Sequence, residues 1–80
     1  MSREKIQNEL TDVIRDFFDL PQLAVDPSTT AAQVEGWDSV AHVGLIVAVE
    51  KAFAVRFTTK EVKSLRTVGD LIALLERRGI

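Results

Sequence analysis

Eighty residues with 10 basic and 12 acidic side chains carry a formal charge of −2. A chain of that length makes one small domain that buries only about 60% of its unfolded surface, with no room for a catalytic cleft beside a substrate domain. Cysteine is absent and histidine occurs once, at His42, which excludes disulfides, thiolate metal sites, a cysteine nucleophile and any metal site needing two imidazoles.

The first periodic segment runs from Arg3 to Phe18. Its apolar residues Ile6, Leu10, Val13, Ile14 and Phe17 recur at helical spacing, which predicts an amphipathic helix. Ser2 is placed to cap it, and Glu4 suits the positive end of its dipole. Residues 19–37 read as a long loop, because Pro21, Pro27, the run Ser28-Thr29-Thr30 and Gly36 all oppose helix. A loop of that length in so small a domain is unusual and often functional. Leu20, Leu23 and Val25 are its expected anchors to the core.

A second helix is predicted from Asp38-Ser39 to about Phe53, with Asp38 as N-cap. Val40, Val43 and Val47, joined by Leu45 and Ile46, make a broad apolar surface on it. Residues 53–57 alternate as a short extended connector. Thr58 and Glu61 then have the spacing of a capping box, which predicts a short third helix carrying Val62 and Leu65. Thr67 caps a last helix with the core face Val68, Leu71, Ile72 and Leu75, Arg77 and Arg78 in its final turn and Gly79 just past its end. These elements predict an all-α fold over residues 1–80, a small four-helix bundle with three main helices, a short third helix and a long first loop.

Composition places the chain among ordinary globular domains, with 46% apolar and 28% charged residues. No apolar run approaches the roughly 18 residues of a membrane span, and Met1-Ser2-Arg3-Glu4-Lys5 is not followed by a signal-peptide core, so a cytoplasmic protein is expected. The weakly acidic balance opposes nucleic-acid binding. Charge is uneven: residues 1–40 carry 3 basic and 8 acidic groups, and residues 41–80 carry 7 basic and 4 acidic groups. Such an acidic pole steers encounters with basic partners more than it sets affinity.

Catalytic patterns are weak. The glycines stand alone, so no loop cradles phosphate. Asp38, Ser39 and His42 are hydrolase residue types, but neighbouring positions on one helix do not make a triad, and no Gly-x-Ser-x-Gly elbow is present. Asp12 and Asp16, one turn apart, read as a solvated face. Ser39 is different. It stands at a helix start after a long loop, where free amides and the helix dipole favour an attached phosphate ester, although a serine there also serves as an ordinary capping choice.

The run Gly36-Trp37-Asp38-Ser39-Val40-Ala41-His42-Val43 resembles the phosphopantetheine attachment site of acyl carrier proteins, with Val40 where that family usually has leucine. Glu50-Lys51-Ala52-Phe53 with Val55-Arg56-Phe57, and Thr67-Val68-Gly69-Asp70-Leu71, are similar to the family's second helix and connector and to the start of its last helix. The resemblance covers almost the whole chain. It implies a non-catalytic, monomeric carrier. A phosphopantetheinyl transferase would attach 4′-phosphopantetheine from coenzyme A to Ser39. A ligase would load the arm's thiol with an acyl or aminoacyl group, and downstream synthases or transferases would use the thioester.

The same resemblance makes Asp38, Val40, Val47 and Glu50 the candidate partner-recognition residues. Ala41, Gly44, Glu50 and Lys51 stand where the common fatty-acid pattern has a stripe of acids, so a carrier dedicated to a specialised lipid, polyketide or related pathway is expected. The alternative is an unmodified helical adaptor with the carrier fold. Of the remaining residues, His42 is expected to face solvent without a special role, Trp37 to pack in the core at the loop end, and Gly44 to mark a close approach by another group.

Overall fold

The computed structural model describes residues 2–80 and contains four α-helices: α1 (Arg3–Phe18), α2 (Ser39–Phe53), α3 (Thr59–Ser64) and α4 (Val68–Arg77). The expected helical bundle is thus the observed one. In α1, Ile6, Leu10 and Ile14 are fully buried at steps of four, so one stripe meets the core. The Ser2 hydroxyl accepts from the Lys5 amide at 3.3 Å. The helix stops at Asp19, which turns left-handed at φ 54° and sends its amide back to the Arg15 and Asp16 carbonyls.

Residues 19–38 are more ordered than proline content predicts. A single 3₁₀ turn forms at Ala31–Gln33. The Asp26 carboxylate accepts from the Ser28 amide at 2.8 Å and the Ser28 hydroxyl at 2.6 Å, and these bonds hold Asp26 below its ordinary value of 3.8. Arg15 donates its Nε to the Leu23 carbonyl at 2.7 Å. The second half of the loop is fastened to the start of α4: Val68 and Gly69 donate to the Thr29 and Pro27 carbonyls at 2.9 and 2.8 Å, and Thr30 bridges Thr67. Leu23 and Val25 pack on the core as expected, Leu20 is not among the residues packed there, and these polar ties share the anchoring.

The apolar surface predicted for α2 divides into two faces. Leu45, Ile46, Val49 and Phe53 are buried, whereas Val40, Val43 and Val47 are 83%, 59% and 43% exposed. At 3.6 residues per turn, 40, 43 and 47 follow one stripe and 45, 49 and 53 another, and only the second is buried. Gly44 does mark a close approach, since Phe17 of α1 lies over it. α2 ends at Ala54, left-handed at φ 55°.

Capping boxes start α3, through Thr58 and Glu61, and α4, through Thr67 and Asp70. In α4, Val68, Leu71, Ile72, Leu74 and Leu75 are buried. Gly79 follows its end at φ 81°, a conformation glycine adopts without steric cost. Arg78 does more than complement the dipole. Its guanidinium pairs with Glu61, its Nε donates to the Arg56 carbonyl at 3.2 Å, and it lies 5.9 Å above the Phe57 ring.

Candidate functional site

Ser39 is the first residue of α2 and is exposed. Its position follows from the residues on either side of it. Gly36, at φ 88°, turns the chain out of the loop. Asp38 is the N-cap: its Oδ1 accepts from the Ala41 amide at 2.8 Å, and its carbonyl accepts from the His42 amide at 2.9 Å. No hydrogen bond among the described residues uses the amides of Ser39 and Val40. The serine hydroxyl therefore stands beside two free donors at the positive end of a helix dipole.

From Ser39 a groove of about 610 Å³ runs between α2 and α3. Trp37, His42 and Val43 line one side, Val62, Lys63 and Leu65 the other, with Ala31, Arg66 and Leu71 beyond them. Its walls are mainly apolar, and Lys63 and Arg66 supply positive charge. This is a place for a long, flexible, partly apolar appendage that begins with an anion.

The predicted recognition residues separate into two groups. Asp38, Ser39 and Val40 share the first turn of α2. Val47 and Glu50 lie farther along it and line a second, smaller hollow of about 180 Å³ with Ile46 and Phe57. Glu50 is half-buried, and its Oε2 accepts from the Phe57 amide at 2.7 Å, so it fastens the connector to α2.

His42 is not the idle surface residue that sequence reading expects. Its Nδ1 lies 3.1 Å from Trp37 Nε1, and its Nε2 lies 3.2 Å from the Val62 carbonyl. Trp37 packs against the core as expected, half-buried with its ring 5.5 Å from that of Phe18, and it also lines the groove wall. The lone histidine one turn after Ser39 and the lone tryptophan two residues before it were the available signals for this contact. The contribution of α3 had no such signal, because only folding brings Val62, Lys63 and Leu65 to the groove.

Among the described residues no three His, Asp or Glu side chains are placed to hold a metal ion, and no helix is long and apolar enough to cross a membrane.

A short helical bundle with an exposed serine at the head of its second helix, opening on an apolar groove, can present a covalently attached group to solvent. The phosphopantetheine attachment-site family model matches residues 8–75. The acyl carrier protein of Acidothermus cellulolyticus is 35% identical over 72 residues, 90% of this chain and 86% of that one. The acyl carrier protein MbtL of Mycolicibacterium paratuberculosis is 34% identical over 70 residues, 88% and 79% of the two chains. The solution structure of the holo acyl carrier protein from Geobacter metallireducens superposes with a TM-score of 0.82 at 32% identity, covering 89% of this chain and 82% of that one. This chain belongs to the acyl carrier protein family. Its prosthetic group is 4′-phosphopantetheine, and the exposed hydroxyl, free amides and groove described above fit that group.

Proposed function

We propose that Ser39 bears the 4′-phosphopantetheine arm and that the protein carries acyl or aminoacyl groups among partner enzymes without catalysing a reaction itself. The observation that carries this reading is the exposed Ser39 at the N-terminus of α2, at the mouth of an apolar groove. The arm supplies a thiol on which cargo is held as a thioester. The chain's own residues do the rest. Asp38 fixes the helix start so that the Ser39 hydroxyl projects toward a transferase. The free amides of Ser39 and Val40 favour the phosphodiester charge there. Val43, Val62 and Leu65 offer apolar surface to cargo.

Incubation with coenzyme A and a broad-range phosphopantetheinyl transferase, followed by intact-mass measurement, tests the assignment. The wild-type chain gains one phosphopantetheine group and Ser39→Ala gains none. A wild-type chain without mass gain sinks this reading and favours the unmodified adaptor.

The outward face of α2 also supports a carrier dedicated to one pathway, such as a specialised lipid or polyketide route. Val40, Val43, Val47 and Lys51 face outward, and the carboxylate of Glu50 is engaged by the Phe57 amide. A partner with a basic docking surface meets little negative charge there. Standard fatty-acid enzymes are expected to turn over the loaded protein more slowly than their own carrier. Equal rates would remove this part of the proposal.

A further inference from the structure

The wall of the groove opposite Ser39 is α3, only six residues long. A helix that short does not persist alone in water, so its position depends on ties to neighbours. Arg78 and the Thr58–Glu61 box tie its first turn. The Val62 carbonyl lies in the last turn, where helical carbonyls lack an i+4 partner. It receives the Leu65 amide at a long 3.4 Å and His42 Nε2 at 3.2 Å.

Donor chemistry fixes the state of His42. An indole Nε1–H only donates, so at 3.1 Å the histidine Nδ1 must accept. The proton is then on Nε2, which donates to the Val62 carbonyl, a pure acceptor. Both contacts require the same neutral tautomer. The two ring planes lie within 22° of each other, which lets the indole N–H approach the in-plane lone pair of Nδ1.

We propose that His42 is a positioning residue, a proton-sensitive latch that joins the loop before Ser39 to α3 across the groove. In the neutral form it holds Trp37 on one side and Val62 on the other. When Nδ1 takes a proton from solvent, the ring becomes a cation with two N–H donors. The Nδ1–H then faces the indole N–H, and two donors cannot bond. The bond to Val62 survives. Acid therefore releases Trp37 selectively and opens the groove on its loop side, next to Ser39.

The charged groups that share the groove with His42 are Asp38 at the head of α2, and Lys63 and Arg66 from α3 and the turn after it. α4 contributes the uncharged Leu71, and Thr67 before it is uncharged too. Asp38 is opposite in sign to the cationic ring, and Lys63 and Arg66 are of the same sign.

The link to cargo rests on Ser39 being the modified residue, whereas the latch is tested on the unmodified chain. One histidine and one tryptophan make the signals unambiguous. In ¹⁵N-labelled protein at neutral pH, His42 should show an unprotonated Nδ1 and a protonated Nε2. As Nδ1 is protonated, exchange of the Trp37 indole hydrogen with water, divided by the rate of a free indole at the same pH, should speed up about fivefold, the loss of one ordinary hydrogen bond. The α3 amides should keep their protection from exchange, because the bond to Val62 survives. His42→Phe should remove the pH step from the Trp37 signal. A proton on Nδ1 at neutral pH, or an indole signal unchanged while His42 titrates, would overturn the latch. Neither result requires a folded variant or a loaded serine.

Discussion

The ring of Phe17 fills the space that a side chain on Gly44 would need. A Cβ built on Gly44 would lie 2.9 Å from the tip of that ring. The consequence is a substitution whose benefit depends on its neighbour. Glycine in mid-helix costs about 1 kcal/mol relative to alanine. Phe17 is 39% exposed, so its ring end can swing aside at a cost that offsets much of that gain. Gly44→Ala is therefore expected to leave stability nearly unchanged, and in a Phe17→Ala background the same change should stabilise by about 1 kcal/mol. Urea unfolding of the four proteins in this cycle checks the difference; simple additivity would refute the contact.

Gly69 meets backbone rather than a ring. A Cβ there would lie 2.9 Å from the Pro27 carbonyl oxygen, which also accepts the Gly69 amide at 2.8 Å. Neither group has a flexible end to move aside. Gly69→Ala should cost about 1–3 kcal/mol despite alanine's better helix propensity. Amide shifts should change at residues 26–30 as well as in α4, and shifts confined to α4 would contradict this tie.

Asp38 caps α2 and stands beside Ser39, and two variants separate those roles. Asp38→Ala removes the bond to the Ala41 amide and should cost about 1 kcal/mol, whereas Asp38→Asn keeps an equivalent cap. If the transferase reads the carboxylate, Asp38→Asn will slow modification at unchanged stability. An unchanged loading rate would leave Asp38 as a cap alone.

Acid should weaken the fold through Asp26 and Glu61. The Ser28 bonds hold Asp26 below its ordinary 3.8, and the Thr58 amide, helped by the Arg78 charge, holds Glu61 below its ordinary 4.5. A carboxyl depressed in the folded state contributes stability that is complete above its unfolded value and lost as pH falls through its folded one. Glu61→Gln keeps an acceptor for the Thr58 amide and removes the titration. The variant should lose less stability than wild type between neutral pH and the region below 4.5, and salt should narrow that difference. Parallel acid limbs in urea midpoints would exclude Glu61 from the acid response.

The helices were legible because local signals coincide with tertiary roles. Ser2, Asp38, Thr58 and Thr67 each cap where their spacing predicts. The place of Ser39 at the head of α2 was legible because Asp38 has the residue type and position of an N-cap. The division of α2 was not, since an almost wholly apolar segment carries little periodic information and only packing against the other helices decides which valines are covered. The bonds from residues 27 and 29 to 68 and 69 were hidden as well, because backbone carbonyls leave no mark on side-chain identity. His42 was misread for a related reason: its partners, a tryptophan five residues earlier and a carbonyl twenty residues later, meet only across the groove.

The ties from Val68 and Gly69 to the loop before Ser39 also bear on when the protein becomes usable during synthesis. The serine is made well before the residues that hold its approach in place. On a ribosome, Ser39 emerges while the Thr29 and Pro27 carbonyls still face water, and its setting is completed only when α4 closes over them. A transferase that reads this setting would pass over the growing chain and act on the finished one. Modification would then mark carriers that have folded. A chain cut before Thr67 displays the same serine without the setting, and its modification rate beside that of the whole chain measures how strongly the mark is reserved for the finished form.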